Sequence, residues 1–222
     1  MPVLPTIERE TGANPAHSLI FLHGLGADGN DFAPIVPELV VPGWPAVRFV
    51  FPDAPVRPVS LNGGMPMRAW YDLKSLSVDG EQDEAGIRQA IDWADALIAR
   101  EAERGIAPDH VVLAGFSQGG AIALAAGLRH AQKLAGIVAL STYLPLHEQT
   151  AAELAEANRA TPIFQGHGLA DPVVVPPLGD MTHAWLDDHG YAVERHTYSM
   201  GHQVIPAEIA DLRDWLTLRL GG

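Results

Sequence analysis

Cysteine is absent from this sequence, which removes disulfides, thiolate metal sites and a cysteine nucleophile from consideration. Basic residues are scarce as well: 14 Lys and Arg stand against 27 Asp and Glu, for a formal net charge of −13. Neutralising a phosphate backbone requires clustered Lys and Arg, and no such cluster occurs, so no nucleic-acid partner is expected. Long apolar runs are missing too. Segments such as LAGIVAL (residues 134–140) are strand-length, far short of the roughly 18 residues that span a bilayer, so an integral membrane protein is not expected. The opening MPVLPTIERE lacks the basic head and apolar centre of a secretory signal, and a cytoplasmic location is expected. No H-E-x-x-H occurs and the histidine pairs stand at no helical ligand spacing, so no metal site is expected.

What is present suits a large buried core. The 222 residues are 47% apolar and 18% charged, enough for one α/β domain over 1–222 and short for two. Strand candidates are residues 17–23, 47–52, 110–116, 134–140, 161–166 and 191–198, most of them continuous apolar runs of the kind buried on both faces of a sheet. Amphipathic segments alternate with them. The clearest covers about 83–104, with Ile87, Ala90, Ile91, Ala94, Leu97 and Ile98 on one stripe and Gly105 placed to end it; another begins at Pro206. This alternation predicts an α/β fold with a mostly parallel central sheet, helices on both faces and no large separate cap domain. Ligands then bind beyond the carboxyl ends of the strands, so the residues just after each strand carry the chemistry. The stretch 54–80 reads as one long irregular loop, a feature often functional in compact domains.

The strand HVVLAGF runs straight into Gly115-Phe116-Ser117-Gln118-Gly119, a G-x-S-x-G match followed by the helix-forming GAIALAAGLRHA. A serine on a sharp strand-to-helix turn lifts its hydroxyl above the sheet, and the helix N-terminus lends positive potential where an oxyanion would form. The bland alternative is a Gly-rich turn with Ser117 as a helix cap. A serine needs a base to take its proton, and on this scaffold the chain order is Ser, acid, His. HGLADPVV places Asp171 just after a strand, and YSMGH places His202 on a Gly-flanked turn before the last helix. Asp180 is the rival acid, several residues further on, where the next helix should have begun. The alternatives for Asp171 and His202 are a helix cap and a surface loop residue.

Gly24-Leu25-Gly26-Ala27-Asp28-Gly29 is a literal G-x-G-x-x-G, and Asp53 falls where a dinucleotide site places its ribose-binding acid. Asp28 and Asp31 would oppose a pyrophosphate, and Pro34 and Pro37 break the supporting helix. The competing reading is a His-Gly loop in which the backbone N–H of Leu25 joins that of Gln118 in an oxyanion hole. No cofactor is expected. In the long loop, Met65, Met67, Trp70 and Tyr71 fit either an acyl-binding wall or a core that pins the loop, Trp70-Tyr71 leaning to the core. Met65, Trp70 and Val173 are the substrate-contact candidates.

Taken together, HGLGADGNDF, FPDAPVRPVSLNGGMPMRAWYD, AGFSQGGA, LAGIVALSTYLPL, HGLADPVVV and MGHQV make the chain resemble the carboxylesterase and acyl-protein thioesterase (lysophospholipase-like) family of α/β-hydrolases, and bacterial carboxylesterases most of all. The similarity spans about 18–220. It implies catalytic roles for Ser117, Asp171 and His202 and oxyanion donors at Leu25 and Gln118. It implies hydrolysis of carboxylic esters and often thioesters on small molecules, acylated proteins or lysophospholipids. It further implies no cofactor or metal, and a homodimer. Family members differ over 72–80, so acyl-chain preference does not carry over. The rivals are another hydrolase on the same scaffold, a peptidase or lysophospholipase, and a non-catalytic binding protein of this fold.

Overall fold

A computed structural model describes residues 4–76 and 80–220. In chain order the elements are β1 (Thr6–Glu10), β2 (His17–Leu22), α1 (Val36–Leu39), β3 (Val47–Pro52), β4 (Val56–Val59), β5 (Met65–Arg68), α2 (Glu84–Glu103), β6 (Val111–Phe116), α3 (Gln118–Arg129), β7 (Gly136–Leu140), α4 (His147–Glu153), β8 (Ile163–Gly168), α5 (Pro176–Asp188), β9 (Val193–Tyr198) and α6 (Pro206–Leu220). Seven strands form one sheet in the order β1-β3-β2-β6-β7-β8-β9. Only β1 runs antiparallel, pairing Thr6 with Pro52 and Glu10 with Arg48; the other six are parallel.

The strands bury both faces because consecutive side chains point to opposite sides of a sheet. In β2, Ile20 and Leu22 join Val50, Leu113 and the inner stripes of α2 and α3 on one side. Leu19 and Phe21 point the other way, into a core with Phe49, Phe51, α1 and α6. Close layer contact depends on small residues at particular points. At Gly136 a Cβ would stand 2.5 Å from the Trp215 ring, so glycine there lets α6 lie down on β7. The helix read from periodicity over 83–104 is α2, opened by Asp83, which accepts a hydrogen bond from Gly86 N at 3.0 Å, and followed by Gly105 at φ +92°.

Two features differ from the sequence expectation. β1 reads TIERE, three charges in five residues, and so has no apolar signature; it is an edge strand. The stretch 54–80 is not one irregular loop. β4 and β5 form a separate two-stranded ribbon, Val56 opposite Arg68 and Val59 opposite Met65, turned by Gly63 and Gly64 at φ +67° and +78°. Residues 77–79 of that stretch, and residues 1–3 of the N-terminal segment, lie outside the described residues.

Candidate active site

Ser117 sits between the end of β6 and the first turn of α3 with φ +54° and ψ −119°, a conformation that non-glycine residues rarely occupy and that surrounding structure must enforce. Three glycines make room for the turn. A Cβ at Gly115 would overlap the backbone of Gly119, one at Gly119 would overlap the carbonyl oxygen of Leu22, and one at Gly120 would press on Thr142. The G-x-S-x-G-G run is thus a steric requirement: α3 starts in contact with the end of β2.

Three side chains converge above the sheet from three strand ends. His202 Nε2 lies 2.9 Å from Ser117 Oγ and His202 Nδ1 lies 2.7 Å from Asp171 Oδ2. With the carboxylate accepting the Nδ1 proton, Nε2 is left to accept from the serine hydroxyl. Asp171 is 3% exposed, yet it is fully engaged: Oδ1 accepts from the backbone N–H groups of Val173 (2.8 Å) and Val174 (3.0 Å). His167 Nε2 donates to Val174 O at 2.8 Å and so ties that loop to β8. The Phe116 ring, centred 4.8 Å from that of His202, packs beside the imidazole. Asp180 is elsewhere, exposed and paired with Arg195.

Leu25 and Gln118 present backbone N–H groups with no protein acceptor among the described residues. Both peptides are braced. His23 is buried, its Nδ1–H donating to Gly24 O at 2.7 Å while its Nε2 accepts from Ala54 N at 3.0 Å; this pattern needs the neutral ring, and burial lowers its pKa accordingly. Fixing the Gly24 carbonyl fixes the direction of the Leu25 N–H in the same planar unit. On the other side, the Gln118 side chain accepts from Trp70 N at 2.8 Å and donates to Tyr71 O at 2.9 Å. The indole of Trp70 donates to His23 O at 2.8 Å, linking the two halves.

Beside Ser117 opens a cavity of about 250 Å³ whose walls include Leu25, Tyr71, Leu73, Leu76, Tyr143 and Val173. A smaller cavity of about 100 Å³ shares Leu76 and Tyr143 and runs on to Met181 and Trp185. Of the three expected substrate contacts, Val173 lines the larger cavity. Met65 does not: it is 62% exposed at the end of the β4–β5 ribbon. Trp70 does not either; it is 1% exposed and spends its polar atoms on His23 and Gln118, so an indole read as a candidate wall is a brace. Asp53, the ribose-acid look-alike, accepts from Gly29 N at 2.9 Å and pairs with Arg68 at 3.3 Å. The roles of His23 and Tyr143 were not read from sequence; the only signals were their places in HGLG and STYLPL.

Beneath the His202 arm, Glu208 in the first turn of α6 is fully buried. Neither carboxylate oxygen has a partner among the described residues, and a side chain at Gly166 would overlap it. Burial, with some repulsion from Asp211, pushes its pKa up to about 8.

A serine on a strand-to-helix elbow, a histidine after the last strand and a carboxylate after the strand before are an arrangement that defines a class of fold, and the class is that of the known proteins the chain resembles. The chain belongs to the phospholipase/carboxylesterase family, whose model matches residues 6–220. It is 41% identical over 233 residues to acyl-protein thioesterase 1 of Neurospora crassa, covering 98% of this chain and 91% of the relative. To acyl-protein thioesterase 1 of Mycosarcoma maydis it is 40% identical over 235 residues, with 97% of each chain covered. Among solved structures, Arabidopsis thaliana SOBER1 superimposes with a TM-score of 0.87 at 30% identity, covering 92% of this chain and 99% of that one.

Proposed function

We propose that this protein hydrolyses carboxylic esters and thioesters through an acyl-enzyme on Ser117. The observation that carries the reading is the continuous hydrogen-bonded chain Asp171–His202–Ser117, at 2.7 and 2.9 Å, opening on an apolar cavity. His202 Nε2 takes the hydroxyl proton as Ser117 Oγ attacks the acyl carbon. Asp171 holds the imidazole in the tautomer that can accept it and stabilises the imidazolium. The N–H groups of Leu25 and Gln118 receive the charge that develops on the carbonyl oxygen, each worth on the order of 3 kcal/mol in comparable sites. His202 then hands its proton to the leaving oxygen or sulfur, and water attacks the acyl-enzyme with the same imidazole as base.

The two curated relatives both carry the name acyl-protein thioesterase, which favours S-acylated proteins as a second substrate class beside small esters. A cytoplasmic location and a homodimer complete the proposal. For the location, no helix among the described residues is long and apolar enough to cross a membrane. For the dimer, the exposed Leu169, Val173, Val175 and Met181 offer apolar surface for a second copy, with Val173 and Met181 lining the cavities.

A fluorophosphonate probe tests the nucleophile: one label per chain is expected, at Ser117, and Ser117→Ala should lose both the label and nearly all turnover of esters and thioesters while keeping its circular dichroism. Labelling elsewhere, or undiminished turnover in the alanine variant, refutes the assignment. A matched set of oxygen esters and thioesters then ranks the two substrate classes.

A further inference from the structure

Tyr71 and Tyr143 meet across the cavity wall, hydroxyl to hydroxyl at 3.0 Å, from positions 72 residues apart in the chain. Each is anchored to the nucleophile's own surroundings. The carbonyl of Tyr71 is held by the Gln118 side chain at 2.9 Å. Tyr143 follows Thr142, whose hydroxyl donates to Ser117 O at 2.7 Å. Both tyrosines line the cavity that also holds Ser117.

Two phenols carry two protons, and the hydrogen bond between them uses one. Among the described residues neither hydroxyl has a further partner. Burial pushes both phenols toward the protonated form, so the second O–H remains a donor throughout the ordinary pH range. A ligand oxygen that reaches this donor gains a hydrogen bond that the apolar wall around it does not offer. Leu73 and Leu76 share the same wall, so the polar spot is set in otherwise apolar surroundings, an arrangement that fixes orientation and selects among ligands.

We propose that the Tyr71–Tyr143 pair is a hydrogen-bond-donating subsite for an oxygen acceptor (an ether, ketone or hydroxyl) carried on the acyl chain a few bonds from the scissile carbonyl. The enzyme would then prefer oxygenated acyl groups over plain alkyl chains of the same length. The proposal rests on the ester-hydrolase reading above and names the acyl class that reading leaves open.

The test uses 4-nitrophenyl hexanoate and three isosteres in which an ether oxygen replaces the methylene at C3, C4 or C5. Each rate is divided by the ester's hydroxide-catalysed rate to remove intrinsic reactivity. Wild-type protein should favour one of the ethers over hexanoate by about fivefold in kcat/KM, the usual scale of one net hydrogen bond. Tyr71→Phe and Tyr143→Phe each leave one phenol with its proton free, so each should keep part of that preference. Tyr71→Phe/Tyr143→Phe should lose it. Dissociation constants of the same esters on Ser117→Ala should carry the same ratio without turnover, and the favoured ether alone should perturb the tyrosine absorption band. These binding readings decide the matter if the double variant does not fold. A wild type that cleaves none of the esters refutes the ester-hydrolase reading, while the Ser117→Ala binding ratio still tests the subsite. A corrected ratio within twofold of unity at every position, a preference that survives in the double variant, or one that appears only when the ether sits in the alcohol portion overturns the proposal.

Discussion

The floor of the site and its rim are built by different rules. In the floor, Gly115, Gly119 and Gly120 let backbones meet with no room for a Cβ, and His23, Trp70, Gln118 and Asp171 are all buried with their side-chain polar atoms paired. Around it, Met65 on β5, Leu169 and Val173 on the loop after β8, and Met181 on α5 are 40–62% exposed; this outer set is the rim. The difference teaches where change is sterically costly: the floor has backbone and paired polar atoms in contact at every turn, whereas the outer side chains have room to vary.

The sharpest way to break this contrast is Asp171→Asn against Asp180→Asn. The first should lower kcat by about 10⁴-fold because the imidazole loses its orienting acceptor; the second removes an exposed partner of Arg195 and should leave kcat unchanged. Equal losses would show that the hydrogen bond at 2.7 Å does not organise His202. Next is Gly119→Ala, whose methyl would occupy the position of Leu22 O. A stability loss of about 3 kcal/mol or more in urea is expected, since backbone offers no rotamer to relieve the overlap. Wild-type stability in that variant would mean that α3 can shift on the sheet.

Glu208→Gln probes the floor through pH. The pKa of Glu208 is raised from 4.5 to about 8 by burial, so the folded state holds an extra proton across that window and stability falls as pH rises through it. The glutamine variant has no such titration. It should match wild type near pH 4.5 and exceed it at pH 8.5 by about 2–4 kcal/mol, read from urea midpoints; parallel stability curves would show that the carboxyl is ionised throughout. The smallest effect belongs to the rim. Met65→Ser should change stability by less than about 0.5 kcal/mol and kcat/KM on short esters by less than about twofold, and a larger effect on kcat/KM would return Met65 to the pocket.

How much of this was legible in the sequence follows the same division. The glycine-bounded elbow at Ser117 could be read because its constraints are local, a tight turn demanding glycine at fixed offsets and buried parallel strands demanding apolar runs. The strands β3 and β6 were found to within one residue for that reason. The structure brings Asp171 and His202 together with Ser117 as that reading expected. β1 was invisible because an edge strand with Glu8, Arg9 and Glu10 has no apolar run. β4 and β5 were lost because each is four residues long and contains a proline, Pro58 or Pro66. Trp70 was ambiguous because its role is set by an acceptor 47 residues away, and no spacing rule reports that Tyr71 will find Tyr143.

The two ends of the main sheet have a consequence for how copies of this chain can meet. β1 and β9 are its edges, and unpaired edges invite another strand to add on. β1 sets Glu8, Arg9 and Glu10 along its border, and β9 sets Glu194, Arg195 and His196 along the other. Glu8 and Glu10 are already drawn into ion pairs with Arg48, Arg100 and Arg104, and Arg195 with Asp180. Extending the sheet across two molecules would bring like charges to the seam and strip these pairs of solvent. Amyloid-like stacking and continuous-sheet dimers are therefore disfavoured at both borders, and self-association, where it occurs, is directed to the helical and loop surfaces.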